Sequence, residues 1–225
     1  WQRGWKPWRG QPVLHRRRSP CSASYPSSLS NGGANAKLHA MSTFEHLAPA
    51  QPLTSSQLTG QDDSHIEYDD NGIGLHPDCW AALSHLRADA AEAGFDLQVV
   101  SGFRSFVRQL AIWNDKARGE RPVHDDAGAP VAMDELSAWQ KVQAILRYSA
   151  LPGSSRHHWG SDLDVFDAAA MPSGYRLQLT PQEVSDQGMF GAFHRWLDER
   201  INSGEAAGFY RPYEIDRGGV AVERW

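Results

Sequence analysis

Two histidines and two aspartates stand close together in the segment Ser155-Arg156-His157-His158-Trp159-Gly160-Ser161-Asp162-Leu163-Asp164. Neutral imidazole and carboxylate are both good zinc ligands, and a catalytic zinc takes three protein ligands and leaves its fourth position to water. Residues two apart on a strand share a face, so Asp162 and Asp164 are expected to line one surface near His157. Gly160 permits the backbone turn that brings the histidine back over the strand. The segment therefore predicts two of the three ligands of a metal site.

Hydrophobic periodicity and chain breakers predict the elements that must position this segment. Helices are predicted over 77–93, 105–116 and 133–148, and strands over 95–101, 163–166, 175–179, 209–213 and 219–225. Thr180-Pro181-Gln182-Glu183 resembles a capping box, which begins a helical region that breaks near Gly188 and resumes through Ile201. Helices come first and strands mostly later, which indicates an α+β fold with a small antiparallel sheet carrying the site, flanked by helices.

Composition divides the chain into three parts. Residues 1–40 contain seven basic residues and no Asp or Glu, although the whole chain has 27 acidic residues. This arm lacks hydrophobic periodicity, so we predict that it is disordered. The chain begins at Trp1, and Met41 opens a segment of different composition, which favours translated upstream sequence over a native arm that binds nucleic acid. Residues 41–70 are predicted to be a polar linker, and 71–225 a catalytic domain.

The two cysteines give neither a disulfide framework nor a metal knuckle, because Cys21 and Cys79 lie on opposite sides of the Met41 boundary. Cys79 is expected to pack as a small hydrophobic residue on a helix. Any metal must therefore be held by histidine and carboxylate. No apolar run is long enough to form a secretory signal or to span a bilayer, so we expect no stable membrane insertion. We also expect a monomer that does not bind nucleic acid.

Three motifs in order resemble those of the zinc D-alanyl-D-alanine carboxypeptidases, the family of the vancomycin-resistance D,D-carboxypeptidases and dipeptidases. Residues 155–164 resemble the signature Ser-x-His-x-x-Gly-x-Ala-x-Asp, with Asp162 in place of the usual alanine. Residues 101–109 resemble Ser-Gly-Tyr-Arg-Ser-x-x-x-Gln, and residues 223–225 resemble the start of a terminal Glu-x-x-His-Trp segment. The resemblance extends from about Ile73 to the C-terminus.

This resemblance implies a role for each matching residue. His157 and Asp164 would be ligands of Zn2+, and Glu223 the general base that takes a proton from water and returns it to the leaving amine. Arg104 would stabilise the oxyanion or bind a substrate carboxylate, unless it forms only a surface ion pair. The next family ligand is a histidine three residues after Glu223, which we expect beyond Trp225. The chain as given is therefore expected to be a fragment at both ends and weakly active or inactive.

The remaining candidates are residues that support the site or contact the substrate. Gln109 and Ser155 match family positions that hold substrate, although the Ser155 hydroxyl could equally cap its loop. Asp162 is expected to accept a hydrogen bond from a ligand histidine, or else to donate a third oxygen to the metal. His158 is expected to support the loop or touch substrate. Other histidines are weaker candidates for the third ligand, namely His76, His85, His124 and His194.

The resemblance implies a zinc metallopeptidase that removes a C-terminal D-amino acid from peptidoglycan stem peptides, in the cell envelope or periplasm. Cytoplasmic localisation stays open, because the sequence has no export signal. D,D-carboxypeptidase, L,D-carboxypeptidase and D,D-dipeptidase activities share this machinery, and the sequence does not separate them. An alternative from another class is a zinc-binding module without catalysis, similar to the hedgehog signalling domain, in which Glu223 would be dispensable.

Overall fold

The described part of the chain, residues 52–225 of a computed structural model, contains six α-helices and two antiparallel strand pairs. The predicted basic arm at 1–40 lies outside the described residues. The strands are β1 (Glu67–Tyr68), β2 (Gly74–Leu75), β3 (Leu97–Ser101) and β4 (Asp164–Asp167). The helices are α1 (Ser55–Leu58), α2 (Pro77–Glu92), α3 (Phe106–Ala117), α4 (Ala138–Leu146), α5 (Pro181–Val184) and α6 (Gly191–Ser203).

The β3–β4 pair carries the predicted metal-binding strand. Leu97 pairs with Asp167 and Val99 with Val165, but the register then shifts so that Ser101 lies opposite Asp164. A bulge of this kind re-aims the side chains at the end of a strand. It leaves Val165 in the core and Asp164 on the other face, as the alternation of a strand requires. The predicted small antiparallel sheet flanked by helices is confirmed.

The main core lies between this sheet and two helices. The core contains Leu83, Leu86 and Ala90 from the apolar face of α2, and Phe193 and Leu197 from α6. His76 caps the first turn of α2, whose first residue is Pro77, as predicted for that position. Cys79 is a free thiol buried in this core, and burial raises its pKa to about 12. It packs as the small hydrophobic residue expected from the sequence.

A second, smaller core joins α3 and α4 to the loop between them through Val123, Met133 and Ile145. The single helix predicted over 133–148 is wrong. The structure has a 3-10 turn at Met133–Glu135 and a separate helix from Ala138, because Ser137 and Gln140 form a capping box that begins a new helix. Trp139, expected on the buried face, has 67% of its surface exposed.

Three predicted strands are absent from the described residues, namely 175–179, 209–213 and 219–225. In the first, the amides of Gln178 and Thr180 donate to the carboxylate of Glu183 instead of to a neighbouring strand. In the last two, the one backbone hydrogen bond between them runs from the Glu223 amide to the Tyr213 carbonyl. The two segments form no strand ladder, and two of their apolar residues, Tyr210 and Val222, are exposed.

The segment predicted as a linker contains ordered elements from Thr54 onward. Thr54 and Gln57 form a capping box around α1, and Gly60 lies against the ring of a buried histidine, His158. These polar residues are fixed by capping and turn hydrogen bonds, which a hydrophobicity pattern does not detect. Within residues 52–225, no helix is long and apolar enough to cross a membrane.

Candidate active site

A cavity of about 260 Å3 brings together most of the predicted site residues. Two of the predicted residues, Gln109 and His158, do not line this cavity and act from behind it. The predicted site residues that do line it are Arg104, Ser155, His157, Asp162, Asp164 and Glu223. Residues far apart in sequence therefore converge at the end of the β3–β4 pair.

The loop carrying His157 is a short 3-10 turn, Arg156–Trp159, which ends at Gly160. Gly160 has φ +71°, and a Cβ there would lie 2.3 Å from Ile66 Cδ1, so both its conformation and its surroundings require glycine. The Gly160 carbonyl accepts from the His76 amide at 2.8 Å. The predicted turn at Gly160 is thus present, and it directs His157 back toward β4.

The His157 ring is held in one tautomer by two backbone carbonyls. Its Nδ1 lies 2.9 Å from the Gly102 oxygen and 3.1 Å from the Asp162 oxygen, so Nδ1 carries the proton. The free lone pair on Nε2 then faces Asp164, whose Oδ2 lies 3.6 Å away. A lone pair and a carboxylate directed at each other suit a cation between them, and a carbonyl on the other ring nitrogen is the usual support of a metal-binding histidine.

Asp164 is buried, and burial raises the pKa of its carboxyl, while the nearby His157, Arg104 and Ser101 act in the opposite direction. Ser101 reaches it because of the strand bulge, and the same hydroxyl accepts from Arg104 Nη2 at 3.0 Å. Asp164 is therefore a carboxylate in a mostly dry site whose negative charge a cation would stabilise.

Gln109 positions Arg104 and does not face the cavity. It is completely buried, its Oε1 accepts from Arg104 Nη1 at 2.9 Å, and its Nε2 donates to the Ala150 carbonyl at 2.6 Å. Burial lowers the pKa of Arg104, but a guanidinium stays charged at neutral pH. The guanidinium is thus fixed by two neutral partners, Gln109 and Ser101, and its charge is left for a ligand in the cavity.

His158 supports the loop from behind. It is completely buried, its Nδ1 contacts the Arg104 carbonyl, and its Nε2 accepts from the Gly153 amide at 3.0 Å. Burial lowers its pKa, which keeps the ring neutral. The neighbouring Ser155 is buried and lines the cavity, and its hydroxyl makes no capping hydrogen bond to the 3-10 turn. The loop-capping hydrogen bond considered for Ser155 is therefore absent, and its contact with substrate stays a prediction.

The Asp162 carboxylate does not contact His157; the carbonyl of Asp162 accepts that hydrogen bond. Its carboxylate instead accepts from Arg156 Nε at 3.3 Å. Arg156 lies over the rings of Trp159 and Tyr210, at 4.8 Å and 5.6 Å from their centroids. Side-chain support of His157 by Asp162, expected from the sequence, is therefore replaced by main-chain support.

Glu223 faces the cavity from the C-terminal segment. Burial, together with the nearby Asp164 and Asp162 carboxylates, raises its pKa to about 8, while Lys116 and Arg104 act against this rise. The adjacent Arg224 anchors the segment through its Nη2, 2.7 Å from Asp198 Oδ2 on α6. Glu223 is thus a carboxyl whose proton is exchangeable near neutral pH, as a general acid and base requires.

Within residues 52–225, no group of three or more His, Cys, Asp or Glu side chains is placed to hold a metal ion. The alternative histidines are dispersed: His76 caps α2, His85 lies on α2, His194 is buried in α6, and His124 lines the cavity. The described residues therefore offer His157 and Asp164 as a metal-binding pair.

Two cations that were not predicted as site residues, Lys116 and Arg121, also line the cavity. The Lys116 ammonium donates to the Ser149 hydroxyl at 2.6 Å. A signal was present, because Gln109, Ile112 and Lys116 follow helical spacing on α3 and so share one face. Arg121 lies in the following loop, where spacing carries no such information.

Fold and site together are those of a family of hydrolytic peptidases. The family described as VanY: D-alanyl-D-alanine carboxypeptidase matches residues 72–225, and the chain belongs to it. This finding confirms the resemblance inferred from the three motifs.

Among the solved structures similar to this chain are two of vancomycin-resistance proteins. One is a mutant of the vancomycin-resistance D,D-pentapeptidase VanY from a VanB-type resistance cassette, in complex with Zn(II); it is 26% identical, with a TM-score of 0.50 over 71% of this chain and 75% of that one. The other is VanYB in complex with D-alanine-D-alanine, 25% identical, with a TM-score of 0.52 over 73% of this chain and 76% of that one. An uncharacterized protein of Haemophilus influenzae is 45% identical over 104 residues, which are 44% of this chain and 70% of the relative.

Proposed function

We propose that this protein is a zinc-dependent D,D-carboxypeptidase that hydrolyses the bond before the C-terminal D-amino acid of peptidoglycan stem peptides. The observation that carries the proposal is the His157 Nε2 lone pair, which faces the Asp164 carboxylate at 3.6 Å on the wall of the cavity. The similar VanY structure that contains Zn(II) supports the choice of metal. A peptidoglycan substrate implies that the activity takes place in the cell envelope.

His157 and Asp164 would hold the zinc, which when bound supplies Lewis acidity toward water and the substrate carbonyl. Three protein ligands are usual for catalytic zinc, and the described residues offer two. We therefore expect His157→Ala and Asp164→Ala each to weaken zinc binding, measured by calorimetry, and an unchanged zinc affinity in either variant would contradict this ligand assignment.

Arg104, Glu223 and Ser155 would act on the substrate. The guanidinium of Arg104 is held by Gln109 and Ser101, so it can face the scissile carbonyl and stabilise the oxyanion without reorganising. Glu223 would accept a proton from the attacking water and then transfer it to the leaving amine. The free hydroxyl of Ser155 would form a hydrogen bond to the substrate backbone.

The test measures D-alanine release by the purified protein from a pentapeptide ending in D-Ala-D-Ala. Release should stop with EDTA and return with zinc. Glu223→Gln should lower kcat by about 100-fold or more, because it removes the proton carrier, while zinc affinity is retained. Glu199→Gln, an exposed carboxylate on α6 that does not line the cavity, is the matched control and should leave kcat unchanged.

Three substrates separate the related activities: the pentapeptide, a tetrapeptide with one terminal D-alanine, and the free dipeptide D-Ala-D-Ala. We expect the pentapeptide to be cleaved fastest. Zinc binding by calorimetry without release from any of the three would instead identify the zinc-binding module. Release that resists EDTA would refute the metal-dependent mechanism.

A further inference from the structure

Three cations line the cavity without a carboxylate partner: Arg104, Lys116 and Arg121. In the described part of the chain, none of them has a carboxylate oxygen within the 4.0 Å of an ion pair. Arg156, in the same cavity, is paired with Asp162. The unpaired charges are therefore a local feature of one part of the wall.

Lys116 has fewer hydrogen-bond partners than Arg104. It is half-buried, and Ser149 is the one side-chain hydrogen-bond partner of its ammonium group among the described residues. An ammonium has three donors, so two remain for a ligand. Burial, with repulsion from Arg121 and Arg104, lowers its pKa to about 8, and the Glu223 carboxylate opposes this shift only in part. Like charges gathered in a partly dry cavity destabilise the folded protein unless an anion binds between them.

The substrate of a carboxypeptidase carries such an anion, its free terminal carboxylate. We infer that Lys116 and Arg121 bind the terminal carboxylate of the stem peptide and so restrict cleavage to the last residue. Arg104, fixed by Gln109 and Ser101 beside Asp164, is then left for the scissile carbonyl. This subsite deepens the proposed function and rests on it, because it assumes that a peptide with a free carboxyl end is the substrate.

A purely structural role for Lys116 is the competing explanation. Its bond to Ser149, together with the bond from Gln109 to Ala150, ties the segment before Ser155 to α3. Losing that tether would impair every substrate alike. Losing a carboxylate subsite would impair only substrates that carry the charge, so a matched pair of acid and amide ligands separates the two roles.

The experiment compares D-Ala-D-Ala with its C-terminal amide, by calorimetric binding to zinc-loaded protein and by kcat/KM with the corresponding pentapeptides. Wild-type protein should prefer the acid by about 10- to 100-fold, the worth of a charge-assisted hydrogen bond. Lys116→Met and Arg121→Met should each lose most of this preference while the amide is bound as before. Lys116→Arg should restore it. Arg108→Met, an exposed cation on α3 outside the cavity, should keep the full preference.

Each outcome decides a different point. If wild-type protein cleaves acid and amide equally, the subsite is refuted while the proposed peptidase activity stands. Lys116 and Arg121 are not the subsite if both methionine variants keep the wild-type preference for the acid. The same holds if both variants lose binding and cleavage of the acid and the amide to an equal extent. If wild-type protein binds and cleaves neither ligand, the proposed function itself fails. Melting temperature checks that each variant is folded.

Discussion

A buried histidine on α6 makes stability depend on pH in a way that can be isolated. His194 on α6 is completely buried, its Nδ1 lies 3.3 Å from Arg211 Nη2, and its Nε2 has no hydrogen-bond partner among the described residues. Burial, followed by repulsion from Arg211 and Arg224, lowers its pKa from 6.5 to about 3, and Asp198 offsets only part of this. The folded protein therefore keeps this ring neutral.

The direction and the size of the effect follow from proton binding. The unfolded chain takes up a proton at this histidine near pH 6.5, and the folded chain does so only near pH 3. Stability is therefore complete above pH 6.5 and is lost as the pH falls toward 3. At pH 5 the loss is about 2 kcal/mol, because each pH unit below the unfolded pKa costs about 1.4 kcal/mol. Any folded pKa below about 4 gives the same loss at pH 5.

The assay is urea unfolding of wild-type protein and His194→Gln at pH 7.5 and pH 5. Glu223 and Asp164 have raised pKa values and so favour the folded state as the pH falls, which opposes His194 in the wild-type curve. These contributions are common to both proteins and cancel in the difference. The stability of wild type minus that of the variant should fall by about 2 kcal/mol between the two pH values.

A difference that stays constant within about 0.5 kcal/mol would refute the reasoning, because it would mean that the buried ring is protonated as readily as an unfolded one. The control is Ile201→Val, a half-buried apolar residue on the same helix. It should cost about 1 kcal/mol through lost packing, equally at both pH values.

Three further predictions concern residues that act on the site through others. Gln109→Leu removes a hydrogen-bond partner of Arg104, so it should lower kcat about tenfold and, in urea unfolding, lower the free energy of unfolding by about 2–4 kcal/mol. An unchanged kcat would show that Arg104 does not need this support. Asp162→Ala should weaken zinc binding by calorimetry less than about tenfold, because its carbonyl holds the ligand histidine; a loss of about 100-fold would restore a role for the carboxylate. Arg147→Met breaks ion pairs that hold the Glu223 segment and should lower kcat about three- to tenfold. It should lower the free energy of unfolding by about 1 kcal/mol or less, because the carboxylate partners of Arg147 are exposed. Because salt screens these ion pairs, high salt should reduce the kcat of wild type toward that of Arg147→Met. If Arg147→Met is as active and as salt-sensitive as wild type, Arg147 does not position the Glu223 segment.

Local sequence determined the features that depend on near neighbours. The spacing of apolar residues between Pro77 and Ala90 predicted α2 and its buried face, because a helix makes one turn every 3.6 residues whatever surrounds it. Thr180 and Glu183 form the predicted capping box. Gly160 makes the predicted turn, which the structure shows to be left-handed with φ +71°. The family resemblance rested on motifs of the same local kind.

The tertiary structure decided which residues converge, and in what role. Gln109, expected at the substrate, lies behind Arg104, since the direction of a helix face is set by what α3 packs against. The last two predicted strands have no ladder, because a strand needs a partner edge that an apolar alternation cannot specify. Lys116 and Arg121 join the cavity only through the packing of α3 and its loop. The sequence thus predicted the pair His157 and Asp164, and long-range packing fixed the His157 tautomer and brought Arg104, Lys116 and Arg121 into the same cavity.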